Sequence, residues 1–139
     1  MRPIRNSSGF SLIEILIVLA IIALLAGIVV ANFTGIFSGA QEDTARTFVK
    51  NSLETPLLKY RMDIGRYPNT QEGLESLFKA PSAHINRWKG PYLKDANIPL
   101  DPWGNPYHYR YPGAKKIDSY DLYSFGADGV ESGDDIGNW

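Results

Sequence analysis

The sequence predicts an α+β fold: a long N-terminal helix, its first half apolar enough to cross a membrane, packed through its second half on a small antiparallel β-sheet domain. Three observations carry that expectation. Phe10 to Ala31 is an almost unbroken apolar run. Beyond it, Ala45, Phe48, Val49, Leu53, Leu57 and Tyr60 recur at helical spacing, as on a helix with one buried side. Near the far end, Tyr107–Tyr111 and Tyr120–Phe125 alternate as strands do, with Pro112–Asp118 as the connection of an antiparallel hairpin.

Size and composition limit what such a chain can be. Of 139 residues, those beyond the apolar run suffice for one small core and no second one. The formal charge is −1 and no basic stripe marks the soluble part, which argues against a nucleic-acid partner. The absence of cysteine removes disulfides, thiolate metal sites and cysteine nucleophiles together.

The N-terminus reads as a membrane segment with a charged preface. Met1 to Gly9 carries Arg2 and Arg5 and no acid, which favours a cytoplasmic N-terminus with the rest of the chain translocated. As a helix, Phe10–Ala31 spans roughly 33 Å at about 1.5 Å per residue, enough for a hydrocarbon core of about 30 Å. Glu14 is the anomaly, since a lone carboxylate toward the bilayer interior costs about 2.5–3.5 kcal/mol and usually has a partner. A removed secretory signal, cut near Ala23-Leu24-Leu25-Ala26, accommodates Glu14 badly, and a plain anchor leaves it unexplained.

At the end of the span and beyond it, Gly27, Gly35 and Gly39 are weak points where a helix can bend or unwind. Pro56 is expected to kink the amphipathic helix or remove one hydrogen bond, and Gly65 with Pro68 to end it. Asn69-Thr70-Gln71-Glu72 has the form of a capping box, followed by Leu74, Leu77 and Phe78 on one side of a short helix that Pro81 stops. Trp88 to Pro106, rich in proline, glycine and aromatics, predicts a long ordered loop with packed anchors. Trp88, Tyr92 and Trp103 are weighed as core packing against a sugar-binding platform, and packing is preferred. His84 and His108 lie far apart in sequence and no nucleophile, base and orienting group converge, so no catalytic site is expected.

The last stretch, Gly126 to Trp139, gathers Asp128, Glu131, Asp134 and Asp135 among glycines. Hard cations such as calcium take six to eight oxygens from carboxylates and carbonyls, which glycine-rich turns can aim inward. A solvated acidic tail explains the same composition.

Gly9-Phe10-Ser11-Leu12-Ile13-Glu14 resembles the type III signal of type IV pilins and type II secretion pseudopilins. Ser124-Phe125-Gly126-Ala127-Asp128-Gly129 and Asp134-Asp135-Ile136-Gly137-Asn138-Trp139 are similar to the calcium loop of major pseudopilins, as are Gly65-Arg66-Tyr67-Pro68 and Asp101-Pro102-Trp103-Gly104 to their other motifs. Where many relatives carry a proline, this chain has Ala31.

The resemblance implies a lollipop-shaped subunit with a leader over 1–9, a transmembrane and filament-core helix over 10–33, its amphipathic continuation over 34–64, and a periplasmic domain over 65–139. It implies cleavage between Gly9 and Phe10 by a prepilin peptidase, N-methylation of Phe10, and Glu14 as an assembly register facing a neighbour's Phe10 amine. It further implies Ca2+ held by the side chains of Asp128, Asp134 and Asp135 and the carbonyls of Phe125, Val130 and Ser132. The implied partners are other copies in a helical pseudopilus, an inner-membrane assembly platform and minor pseudopilins. The alternatives are a type IV pilin for adhesion or motility and a membrane-anchored binding module.

Overall fold

The computed structural model describes residues 9–139, and the side chains of these other than 30–36. The expected leader therefore lies outside the described residues except for Gly9. The chain forms two compact units that meet in sequence between Ser38 and Gly39.

Helix α1 runs from Leu12 to Thr47. Gly27, Gly35 and Gly39 all lie inside it without interrupting it. Its stretch Leu12–Val29 has a mean hydropathy of 3.1, and none of it is buried. A helix apolar on every side belongs in lipid or among other helices, because water is a poor solvent for all of its faces.

In the second unit the helical residues change character. The expected buried face is present: Ala45, Val49, Leu53, Leu57 and Tyr60 are all at most 2% exposed. Phe48 is half-buried and stacks on Tyr107 with ring centroids 4.2 Å apart.

The helix is not continuous, however. A π-helical turn occupies Phe48–Ser52, Leu53 separates it from α2, and α2 spans Glu54–Ile64. Pro56 was expected to disturb the helix at its own position. Instead it lies in the first turn of α2, where a missing N–H costs little, and the disturbance falls one turn earlier. A proline ring collides with the carbonyl four residues back, here that of Ser52, and widening the turn that ends at Ser52 relieves the clash. Gly65 closes α2 as expected, with φ of 97° and its N–H donating to the Arg61 carbonyl at 2.8 Å.

Beyond α2 the predicted capping box is formed: Glu72 N donates to Asn69 Oδ1 at 2.7 Å and Asn69 N to Glu72 Oε2 at 2.8 Å. The helix that follows is only a 3₁₀ segment, Leu74–Leu77, whose two leucines enter the core. Trp88 Nε1 donates to the Ser76 carbonyl, and Tyr92 Oη to Asp63 Oδ2, so the aromatic loop is anchored to the elements beneath it. Trp88, Tyr92 and Trp103 all pack against the core, in line with the preferred reading.

The sheet has three antiparallel strands in the order β1 (His108–Arg110), β2 (Asp121–Ser124) and β3 (Ile136–Gly137). His108 is opposite Tyr123 and Arg110 opposite Asp121, as the hairpin required, while Ser124 faces Ile136. β3 was not foreseen, because two residues embedded in an acidic stretch carry no alternation. Leu122 and Ile136 complete the core over the π turn, which packs on both β2 and β3.

Candidate processing segment and acidic terminal loop

The first candidate site is the start of α1. Gly9, Phe10 and Ser11 are non-helical and exposed, with Phe10 79% accessible. Helix begins at Leu12, and the Ser11 carbonyl accepts from Glu14 N and Ile15 N at 3.0 and 3.2 Å. Glu14 therefore occupies the first turn, where unsatisfied N–H groups give the helix a positive end that favours a carboxylate. The bond between Gly9 and Phe10 is accessible, non-helical backbone shortly before α1 begins at Leu12.

The second is the loop between β2 and β3. It is set by Asp101, which is 4% exposed and accepts from Ser124 Oγ at 2.5 Å, Asn105 N at 2.8 Å and Trp103 N at 3.1 Å. Ser124 Oγ in turn accepts from Gly126 N at 3.0 Å. One buried carboxylate thus shapes the Asp-Pro-Trp-Gly turn and fixes the point at which the acidic loop leaves β2. Gly126 and Gly129, with φ of 76° and 67°, bracket the 3₁₀ turn Gly126–Asp128 in a conformation that side chains disfavour.

Within the loop the three expected aspartates converge on one residue. Ser132 Oγ lies within donating reach of both Asp134 Oδ1 and Asp128 Oδ2, the latter at 3.4 Å, its one proton serving one carboxylate at a time, and Ser132 N donates to Asp135 Oδ1 at 3.1 Å. Asp128 Oδ1 also accepts from Val130 N at 3.2 Å. The Ser132 hydroxyl holds the exposed Asp134 carboxyl below the usual carboxylate range. These are hard oxygen donors gathered around a single hydroxyl and amide, the donor chemistry that calcium takes. They are not preassembled as a ligand cage: among the described residues no group of three or more acidic or imidazole side chains is arranged to hold a metal.

Two organising carboxylates escaped the sequence reading. Asp101 was noted only within a motif. Asp121, 3% exposed, accepts from the backbone N–H groups of Ala114, Lys115 and Lys116 at 2.6–2.9 Å and so fixes the β1–β2 connection. Gly113 makes room for it, since a Cβ there would lie 2.5 Å from Asp121 Oδ1. The available signal was position: Asp121 is the single acid at the start of a strand and Asp101 stands directly before Pro102.

Comparison with known proteins finds a methylation motif at the first candidate site and one family over nearly all the rest of the chain. Residues 4–30 match the prokaryotic N-terminal methylation motif, and residues 32–139 match the family described as type II secretion system, protein G. The chain is 44% identical over 142 residues to the type II secretion system core protein G of Pseudomonas aeruginosa, covering 97% of this chain and 96% of that one. It is 39% identical over 145 residues to that of Vibrio cholerae, covering 100% and 96%. Its fold resembles the crystal structure of the major pseudopilin from the type 2 secretion system of enterohaemorrhagic Escherichia coli, with a TM-score of 0.65 at 34% identity over 76% of this chain and 87% of that one. With an apolar helix behind a methylation motif and a three-stranded α+β domain ending in this loop, the chain belongs to the type II secretion system protein G family, the major pseudopilins.

Proposed function

We propose that this chain is the polymerising subunit of a periplasmic pseudopilus that drives export of folded proteins. The observation that carries the reading is the apolar, wholly unburied stretch Leu12–Val29 behind an accessible Gly9–Phe10 bond. Before assembly that surface is covered by the inner membrane, with the N-terminus cytoplasmic and residues 65–139 periplasmic. Prepilin peptidase cuts after Gly9 and the new Phe10 amine is methylated. In the filament the same surface is covered by the helices of other copies. The chain is a structural part with no catalytic step of its own; the platform and minor pseudopilins supply initiation and energy.

Glu14 has the electrostatic role in this scheme. A carboxylate and an ammonium are each costly in low dielectric and tolerable together, so Glu14 facing a neighbour's Phe10 amine fixes the axial register of addition. Glu14→Ala is expected to leave insertion and cleavage intact while reducing filament yield at least tenfold in cells expressing the peptidase and platform. Normal filaments from that variant refute the pairing. Mass spectrometry of the mature N-terminus tests the processing: methylated Phe10 is expected, and an intact Met1 or cleavage near Ala26 overturns it.

At the terminal loop, Asp128, Asp134 and Asp135, with the carbonyls of Phe125, Val130 and Ser132, would hold Ca2+. Bound there, calcium supplies the cross-link that a disulfide would otherwise provide in a chain without cysteine. Ser132 already contacts all three aspartates, and binding requires them to turn from it toward the ion. Calorimetry on the full chain in detergent is expected to show binding at millimolar calcium or below, abolished in Asp128→Ala. No heat in the parent chain, or unchanged binding in the variant, refutes it.

A further inference from the structure

A cavity of about 230 Å³ lies beside the terminal loop, walled by Glu42 and Arg46 of α1, by Trp103, and by Gly126, Asp134, Asp135 and Trp139 among the loop and β3 residues. Arg46 follows Ala45, which is fully buried, so the backbone beneath the guanidinium is fixed against the core. The same part of α1 is tied to the Asp-Pro-Trp-Gly turn by Gln41 Nε2, which donates to the Pro102 carbonyl at 3.1 Å. Lys115, which is not part of this wall, has its ammonium 5.8 Å from the Trp139 ring. Arg46 thus lines one small cavity with Asp134 and Asp135, two of the three aspartates that converge on Ser132.

We propose that Arg46 is a built-in competitor of calcium at the terminal loop and that Glu42 is its counterweight. The proposal rests on the calcium reading above. A guanidinium across a small cavity offsets the mutual repulsion of Asp134 and Asp135 when no metal is bound, and repels a divalent cation that approaches them. Glu42, one helical turn before Arg46, is spaced to draw the guanidinium aside and adds negative field of its own. Removing Arg46 therefore tightens calcium and loosens the metal-free loop, while removing Glu42 weakens calcium.

Calcium titration calorimetry on the full chain in detergent tests this, with Arg46→Gln, Arg46→Lys and Glu42→Gln beside the parent at two salt concentrations. For a divalent cation and a unit charge at the protein surface, the expected effect is a Kd about three- to tenfold lower in Arg46→Gln. It is near parental in Arg46→Lys and several-fold higher in Glu42→Gln, and the differences shrink at high salt. Thermal unfolding with excess chelator should place Arg46→Gln below the parent. A parent that binds calcium beside an Arg46→Gln variant of equal or weaker affinity overturns the proposal alone; a parent that gives no binding heat overturns the calcium reading and this proposal with it. Should Arg46→Gln fail to fold, an unchanged Kd in Glu42→Gln overturns it.

Discussion

Residues 12–29 and residues 45–64 are both helical and both rich in large apolar side chains, yet they solve opposite problems. In the first stretch Leu16, Ile17 and Val18 are about half exposed, and so are residues on every other side of the helix. In the second, one face is buried to within 4% of full occlusion from Ala45 through Ile64, while Leu58 and Met62 remain outside. The difference lies in where the partner surface is encoded. The second stretch finds its partner in its own sheet and loops; the first must find it in lipid or in other copies of the chain. On the function proposed above, a subunit that is both inserted in a membrane and added to a filament needs that division, because residues committed to the domain core cannot also change environment.

The sharpest way to break this comparison is a pair of leucine truncations. Leu57→Ala removes a fully buried side chain and is expected to cost about 2–5 kcal/mol of domain stability. Leu16→Ala, 55% exposed in the isolated subunit, is expected to change domain stability by no more than about 0.5 kcal/mol while weakening filaments. Tryptophan fluorescence reads the outcome cleanly, since Trp88, Trp103 and Trp139 all lie in the second unit. Equal destabilisation by the two substitutions would show that the two stretches are not independent.

A smaller effect separates the acids that shape the domain from those that project from it. Asp101→Ala strands the Ser124 hydroxyl and the Trp103 and Asn105 amides, and is expected to cost about 2–3 kcal/mol. Asp128→Ala, whose oxygens meet exposed Val130 and Ser132, is expected to cost about 0.5 kcal/mol or less in calcium-free chemical denaturation. A reversed order would mean that the acidic loop braces the metal-free domain.

These acids also show what the sequence could and could not reveal. The apolar run, the buried face of Ala45 to Tyr60 and the Asn69–Glu72 box are local patterns of spacing, and each is present where the spacing placed it. Asp101 and Asp121 owe their roles to chain folded back from elsewhere in sequence, Ser124 in one case and the Ala114–Lys116 amides in the other. Burial of a single acid leaves no periodic trace. The π turn has the same character: Pro56 announced a disturbance, but where it fell depended on Val49 and Leu53 both staying in the core. β3 is two residues long and exists only because β2 is there to pair with it. In the acidic loop, residue types pointed to an oxygen-rich site, while the hub that gathers them, Ser132, was expected only as a carbonyl donor.

The smallest expected effect concerns a second comparison, between the two glutamates at helical starts. Glu14 stands in the first turn of α1 without a described ion pair, whereas Glu72 is gripped by Arg66 through two hydrogen bonds of 2.8 and 2.9 Å and also accepts from Asn69 N. Arg66 holds the Glu72 carboxyl below its ordinary value of 4.5, the Asn69 N–H adds to this, and burial opposes it. A lowered folded-state value means that the charged pair stabilises the domain fully above the unfolded value and loses that contribution as pH falls through the folded one. Arg66 is one-third exposed, so solvent screening keeps the contribution to about 1 kcal/mol or less. In a His84→Gln background, which removes the imidazole 3.5 Å from Glu72 Oε1, the unfolding free energy of the Glu72 chain minus that of Glu72→Gln should be constant from pH 7 to about 5 and shrink below about 4.5. A difference that instead grows toward acid pH would mean that Glu72 carries a proton in the folded domain, and that Arg66 serves another partner.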